Sequence, residues 1–298
     1  MISRTKILIL GSSGMLGHKL LSYLSARSEF KVYGTCRGYS PVLQEVFPEL
    51  TPKIFWNVDV TEISSLVEVI GKVKPDLVIN CIGVIKQKTA PREPVTSIYT
   101  NALFPHLAAA ICRQAGIRFI HISTDCVFNG QEGNYSENFI PNCSDLYGRS
   151  KLLGEVEYPH CLTLRTSIIG HELNSCLGLL EWFLAQKDQI QGYTRHIFSG
   201  LPTVELAEII GLYVIPNPAL QGIYQVSADP ISKYNLLKLI ATQYRKMIHI
   251  KPVDETSCNR SLDSGRFRHI TGYRPASWPH LVQKMHLDYI KTPYPSKE

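Results

Sequence analysis

What this 298-residue chain lacks narrows its chemistry first. Its eight cysteines (Cys36, Cys81, Cys112, Cys126, Cys143, Cys161, Cys176 and Cys258) form no CxxC pair, and neither they nor the ten histidines show zinc-ligand spacing. They read as reduced, mostly buried thiols, and no metal is expected. No uncharged stretch reaches membrane-spanning length, and the first residues run into a short apolar strand with no leader pattern. The expectation is a cytoplasmic protein without membrane contact. The formal net charge of +6 is spread along the chain instead of gathered in one run, which gives nucleic-acid binding little support. The same mild positive balance suits ligands that carry phosphates. With 44% hydrophobic and 19% charged residues, no segment is poor enough in apolar side chains to imply long disorder.

What is present has a clear rhythm. Short β-branched runs (6–10, 31–36, 54–60, 77–81, 119–123 and 162–166) alternate with helical patterns (16–24, 63–70, 101–114 and 147–157), as a parallel sheet with crossover helices requires. Beyond Ser167 the pattern changes to helices at 177–186, 204–214 and 233–245, with one strand at 222–226. We therefore expect an α/β protein. A doubly wound Rossmann sheet should occupy residues 1–167 and a smaller, mostly helical substrate-binding portion residues 168–298, the two interleaved across a soft boundary. Residues 291–298, with two prolines and no periodicity, are expected to fray.

The first strand leads into Gly11, Ser12, Ser13, Gly14, Met15, Leu16 and Gly17, and then into a helix. Strand, glycine turn and helix N-terminus in that order aim backbone N–H groups and a positive dipole end at a pyrophosphate. Ser13, Gly14, Met15 and Leu16 would lie along it, with Gly11 making the turn and Gly17 letting helix and sheet approach. At the end of the second strand stands Arg37, whose guanidinium fork suits a 2′-phosphate and so NADP over NAD, unless it is an exposed loop arginine. Asp59, followed by Val60, is placed to meet the adenine or else to cap the chain at Thr61.

Tyr147 and Lys151 are four apart and so share one helix face, in a segment that follows the strand ending at Ser123 and Thr124. A phenol beside an ammonium is drawn toward its working range as a proton-transfer group. The hydroxyl of Thr124, at the carboxyl end of a parallel strand, can hydrogen-bond a reacting carbonyl. Cys81, Ile82, Gly83, Val84 and Lys86, after the fourth strand, are placed to line cofactor and substrate alike.

Taken together, Gly11–Gly17, Pro75–Cys81, Asn101-Ala102, His121–Phe128, Tyr147–Lys151 and Leu164–Ser167 resemble the extended short-chain dehydrogenases, and within them the dTDP-4-dehydrorhamnose reductase group. The resemblance implies transfer of hydride from NADPH, or NADH, to the C4 keto group of a dTDP- or UDP-linked 6-deoxyhexulose, in surface-polysaccharide synthesis. Tyr147 would protonate the oxygen, Thr124 would polarise it, and Lys151 would hold the nicotinamide ribose. Asp125, Ile168, Leu201 and Arg260 would join the substrate site, and a homodimer is a further expectation. Two positions depart from the group. Ile168 and Ile169 stand where the rhamnose-forming enzymes carry an aromatic residue, and Lys19 stands where some relatives carry an acidic metal ligand. Two other readings stay open: a sugar epimerase or dehydratase using the same tyrosine and lysine, with Asp125 nearby, and a non-catalytic NADP-binding subunit resembling the regulatory partner of methionine adenosyltransferase.

Overall fold

A computed structural model describes residues 4–84 and 94–294. Seven strands form the central sheet: β1 (Thr5–Leu10), β2 (Phe30–Thr35), β3 (Ile54–Phe55), β4 (Leu77–Asn80), β5 (Arg118–Ile122), β6 (Cys161–Arg165) and, from the second half, β11 (Gly222–Gln225). Their order across the sheet, starting from that last strand, is 6, 5, 4, 1, 2, 3, and every pairing is parallel. This is the doubly wound Rossmann arrangement. Its winding reverses between β1 and β4, and the crevice beyond the strand ends at that point is where such sheets take ligands.

Alternation in β1 explains why both faces are covered. Ile7 and Ile9 point into one apolar layer with Leu20, Leu21 and Leu24 of α1 (Met15–Ser25), while Leu8 and Leu10 point into the other. That second layer includes Leu66 and Val69 of α3 (Ile63–Val73), which follows the short α2 (Pro41–Val46), and Phe104 and Ala108 from the helical segment 94–114. In that segment α4 (Pro94–Ser97) passes through a π-helical turn, Ile98–Leu103, into α5 (Phe104–Gln114). The wider turn carries the buried Asn101, whose amide holds the backbone on the far side of the cleft.

Further helices are α6 (Leu146–Leu153), α7 (Leu179–Ala185), α8 (Thr203–Ile209), α9 (Lys233–Gln243), α10 (Gly265–Thr271) and α11 (Trp278–Lys291). Small strand pairs knit the second half together: β7 (Ile168–Ile169) with β10 (Leu201–Pro202), β8 (Gln189–Tyr193) with β13 (His249–Val253), and β9 (His196–Phe198) with β12 (Ile231–Ser232) and β14 (Cys258–Asn259). Among the described residues no helix is long and apolar enough to cross a membrane.

Three sequence expectations shift. The third strand ends at Phe55, not 60, because Asn57 adopts a left-handed backbone (φ 61°) that breaks the extended run. The helix of Tyr147 stops at Leu153, with Gly154 as its cap. The chain end does not fray up to Tyr294: its hydroxyl lies 2.9 Å from Nε2 of the buried His18, and Lys19 pairs with Asp288 at 2.7 Å. A histidine and a lysine buried in α1 need those partners, and the C-terminal segment supplies them.

The first turn depends on contact distance. Gly11 has φ +81°, and a Cβ added to Gly17 would fall 2.1 Å from the Gly11 carbonyl oxygen. Gly17→Ala is predicted to destabilise the protein by about 1–3 kcal/mol. Gly71→Ala, in open space on α3, is predicted to stabilise it by up to ~1 kcal/mol. Urea denaturation of the two variants checks this, and changes of the same sign would contradict the packing described.

Candidate active site

A cavity of about 650 Å³ opens at the carboxyl ends of β1, β4 and β5. One wall is the start of α1. Its N-cap, Gly14, makes no side-chain cap, and the first turn holds no acidic residue, so the N–H groups and the positive dipole end are left to a ligand. Ser13, Gly14, Met15 and Leu16 line this wall, with Gly11 and Gly17 shaping it from beneath. Opposite lie Cys81, Ile82 and Gly83. Their backbone is fixed from behind: Asn101 accepts from the Val84 N–H at 2.8 Å and donates to the Val84 carbonyl at 3.0 Å.

Tyr147, Lys151 and Thr124 all line the same cavity. Asp145 caps α6 by accepting from the Gly148 N–H at 2.8 Å, which starts the helix so that Tyr147 enters the cleft in its first turn. Gly148 is needed there for another reason. A Cβ would lie 2.3 Å from the Cys126 carbonyl oxygen, so only glycine lets the helix approach the loop after β5 this closely. The Thr124 hydroxyl donates to Oδ1 of Asp125 at 3.3 Å and accepts from the Cys126 N–H at 3.1 Å. The neighbouring Ser123 hydroxyl points elsewhere, donating to Glu155 at 2.7 Å.

Charge in this cleft is governed by burial. Lys151 is buried, donates to the Ile122 carbonyl at 2.7 Å, and has its pKa lowered to about 8 by desolvation, against the raising influence of Glu155 and Cys81. The phenol of Tyr147 is pushed up by burial, then by the thiol of Cys126 and the carboxyls of Asp125 and Asp145, with Thr124 pulling the other way. This corrects the expectation that Lys151 draws the phenol down: desolvation dominates, and the tyrosine is held as a protonated donor. Asp125 is likewise raised by burial, with Arg260 opposing. Behind the cleft Glu155 is neutralised by Arg165 through two bonds of 2.8 and 2.7 Å.

The outer end is lined by Ile168, Asp125 and Arg260, the last anchored by donating Nε–H to the Phe128 carbonyl at 2.8 Å. Sequence reading missed Cys126, His196, Lys233, Cys258 and the loop 172–178. Lys233 follows Ser232, which caps α9 by accepting from the Asn235 N–H, and that local capping signal was the one available pointer to it. The loop is tied around buried Glu172, which accepts from the Ser175 hydroxyl at 2.6 Å and the Gly178 N–H at 2.7 Å. It closes against Met15, whose Cε would lie 2.5 Å from a Cβ on Gly178.

Other expected residues stand apart from the cavity wall. Leu201 is fully buried behind Ile168, its partner across the β7–β10 pair. Val84 lies with its backbone on Asn101, and Lys86 lies outside the described residues. Asp59 accepts from the N–H and hydroxyl of Thr61 at 2.9 and 2.8 Å, the capping alternative, and its carboxyl is held low by those bonds and by Arg37. Val60 is buried in the core. Arg37 is exposed, next to the buried Cys36.

The "Probable low-salt glycan biosynthesis reductase Agl14" of Haloferax volcanii is 29% identical over 62% of this chain and 63% of its own length, so the chain spans less than two thirds of that relative. "Methionine adenosyltransferase 2 subunit beta" of Xenopus tropicalis is 23% identical over 94% of the chain and 89% of its own. The crystal structure of dTDP-4-dehydrorhamnose reductase from Bacillus anthracis in complex with NADP superposes with a TM-score of 0.77 at 20% identity, covering 96% of this chain and 99% of that one, a likeness of fold. The family model described as RmlD substrate binding domain matches residues 5–286, and the chain belongs to that family.

Proposed function

We propose that the chain reduces the C4 keto group of a nucleotide-linked 6-deoxy-4-ketohexose with NADPH, in the synthesis of a glycan. The observation that carries this reading is the meeting of Thr124, Tyr147 and Lys151 in a cavity whose other wall is an uncapped helix N-terminus. The residues fit a dinucleotide: α1 offers N–H groups to a diphosphate, and the exposed Arg37 after β2 offers a fork to a 2′-phosphate. The reduced nicotinamide, when bound, supplies the hydride. Thr124 donates a hydrogen bond to the ketone oxygen and stabilises charge as it develops there. Tyr147 transfers its phenolic proton to that oxygen, a role that its raised pKa suits, since the proton is retained until an alkoxide demands it. Lys151 binds the ribose beside the nicotinamide and, when charged, stabilises the phenolate that remains. Arg260, with Lys233 and His196, lines the outer end and meets the substrate's phosphates.

The similarity to methionine adenosyltransferase 2 subunit beta over 94% of the chain supports a second reading, a subunit that binds the dinucleotide without turnover. A panel of dTDP- and UDP-linked 4-keto-6-deoxysugars, with NADPH absorbance followed, separates the two. We predict consumption with at least one sugar, lowered about 10²–10⁴-fold in kcat by Tyr147→Phe. Binding of NADPH without consumption by any sugar would favour the second reading, and normal turnover by the variant would remove Tyr147 as the acid. For Arg37→Ala we predict a KM for NADPH raised about 10–100-fold with that for NADH little changed, as loss of a charge-assisted contact implies. An unaltered ratio of the two KM values would place Arg37 outside the cofactor site.

A further inference from the structure

Behind the cleft runs a chain of side chains that the reaction above does not use. The Ile82 N–H donates to Oδ1 of Asn80 at 3.0 Å, and Nδ2 of Asn80 lies 3.1 Å from Nδ1 of His121. Nε2 of His121 lies 3.2 Å from Nζ of Lys151. Asn80 and His121 are fully buried and Lys151 nearly so.

The direction of these bonds follows from the first. Because Oδ1 of Asn80 accepts from a backbone N–H, its amide cannot turn over without setting two donors against each other. Nδ2 is therefore the group facing His121, and Nδ1 of His121 must accept. A neutral imidazole that accepts at Nδ1 carries its hydrogen on Nε2, directed at Nζ of Lys151. An amine can accept that hydrogen only through its lone pair. Its own hydrogens remain for the Ile122 carbonyl and for a ligand in the cleft.

We propose that His121 is a positioning residue, fixed by Asn80 with its hydrogen on Nε2, which presents that hydrogen to Lys151 and so sets the charge of the amine from behind the cleft. The proposal rests on the reading of Lys151 as a working group. The other groups facing Lys151 are Tyr147 on its own helix, Glu155 just beyond it, and Cys81 after β4; His106 acts on His121 from α5. Glu155 and Cys81 favour the ammonium and burial opposes it; the Nε2 hydrogen of His121, 3.2 Å from Nζ, adds to that opposition. Burial and the nearby lysine keep His121 itself uncharged, its pKa well below the usual histidine value. The consequence is a coupled element. When Lys151 takes up a proton, His121 must present a lone pair at Nε2, the Asn80 amide must turn, and the Ile82 N–H in the cofactor wall loses its acceptor.

Two measurements test this. In the ¹⁵N-histidine-labelled protein, without substrate, the imidazole of His121 should carry its hydrogen on Nε2 and leave Nδ1 bare at mildly alkaline pH. A hydrogen on Nδ1, or on both nitrogens, overturns the proposal whether or not any ketosugar is reduced. In turnover, the loss of NADPH oxidation at alkaline pH should follow Lys151. His121→Gln replaces the donor by a carbonyl acceptor and should move that limb upward by about one pH unit. Asn80→Asp, which accepts from Ile82 and His121 together and so reverses the tautomer, should move it the same way. A limb that stays or moves down in a folded variant overturns the assignment, and absence of turnover with every sugar leaves the ¹⁵N result to decide it.

Discussion

The absence of a side chain at Gly148 fixes the distance between the two working surfaces of this molecule. Its Cα side rests against the carbonyl of Cys126, 2.3 Å from where a Cβ would stand. That contact brings helix α6 onto the loop that leaves β5. Tyr147 precedes the glycine and Thr124 precedes the carbonyl by two residues, so one backbone approach sets the separation of phenol and hydroxyl. Lys151, one turn further along, is carried under the same roof. Packing density makes such a contact unforgiving, because the helix cannot retreat without opening a void behind it.

Electrostatics completes what packing begins. The cleft buries an amine, a carboxyl and a phenol within one cavity, and desolvation moves each toward its neutral form. The full charges behind it are paired, as in Glu155 with Arg165. With Asp125 raised toward its protonated form and Lys151, Lys233 and Arg260 on the same lining, a cavity beside an uncapped helix N-terminus is suited to an incoming polyanion. It can also change protonation state at small energetic cost when one arrives.

How far this was legible in the chain follows the range of the interactions. The Rossmann sheet was readable because each strand is a local apolar run, and the turn at Gly11–Gly17 and the pair Tyr147/Lys151 because their spacing is itself the geometry. Apart from the strand at Gly222–Gln225, which the sequence did announce, the strands of the second half, two to five residues long, leave no period to detect. Lys233, His196 and the loop around Glu172 reach the cavity through long-range folding, which no local pattern encodes. The burial that reverses the expected effect on Tyr147 is also a tertiary property. So is the docking of Tyr294 on His18, where the deciding signal was two polar residues buried in α1 and not the composition of the tail.

The central claim is that the Gly148 contact places the acid. Gly148→Ala tests it most directly when NADPH affinity and turnover are measured on the same folded sample. The account predicts an affinity within a few-fold of the parent, because α1 and the glycine turn are untouched, and a kcat lower by about 10²-fold, the cost of displacing a reacting group by roughly an ångström. Turnover at the parental rate, in a variant shown to be folded, would contradict it.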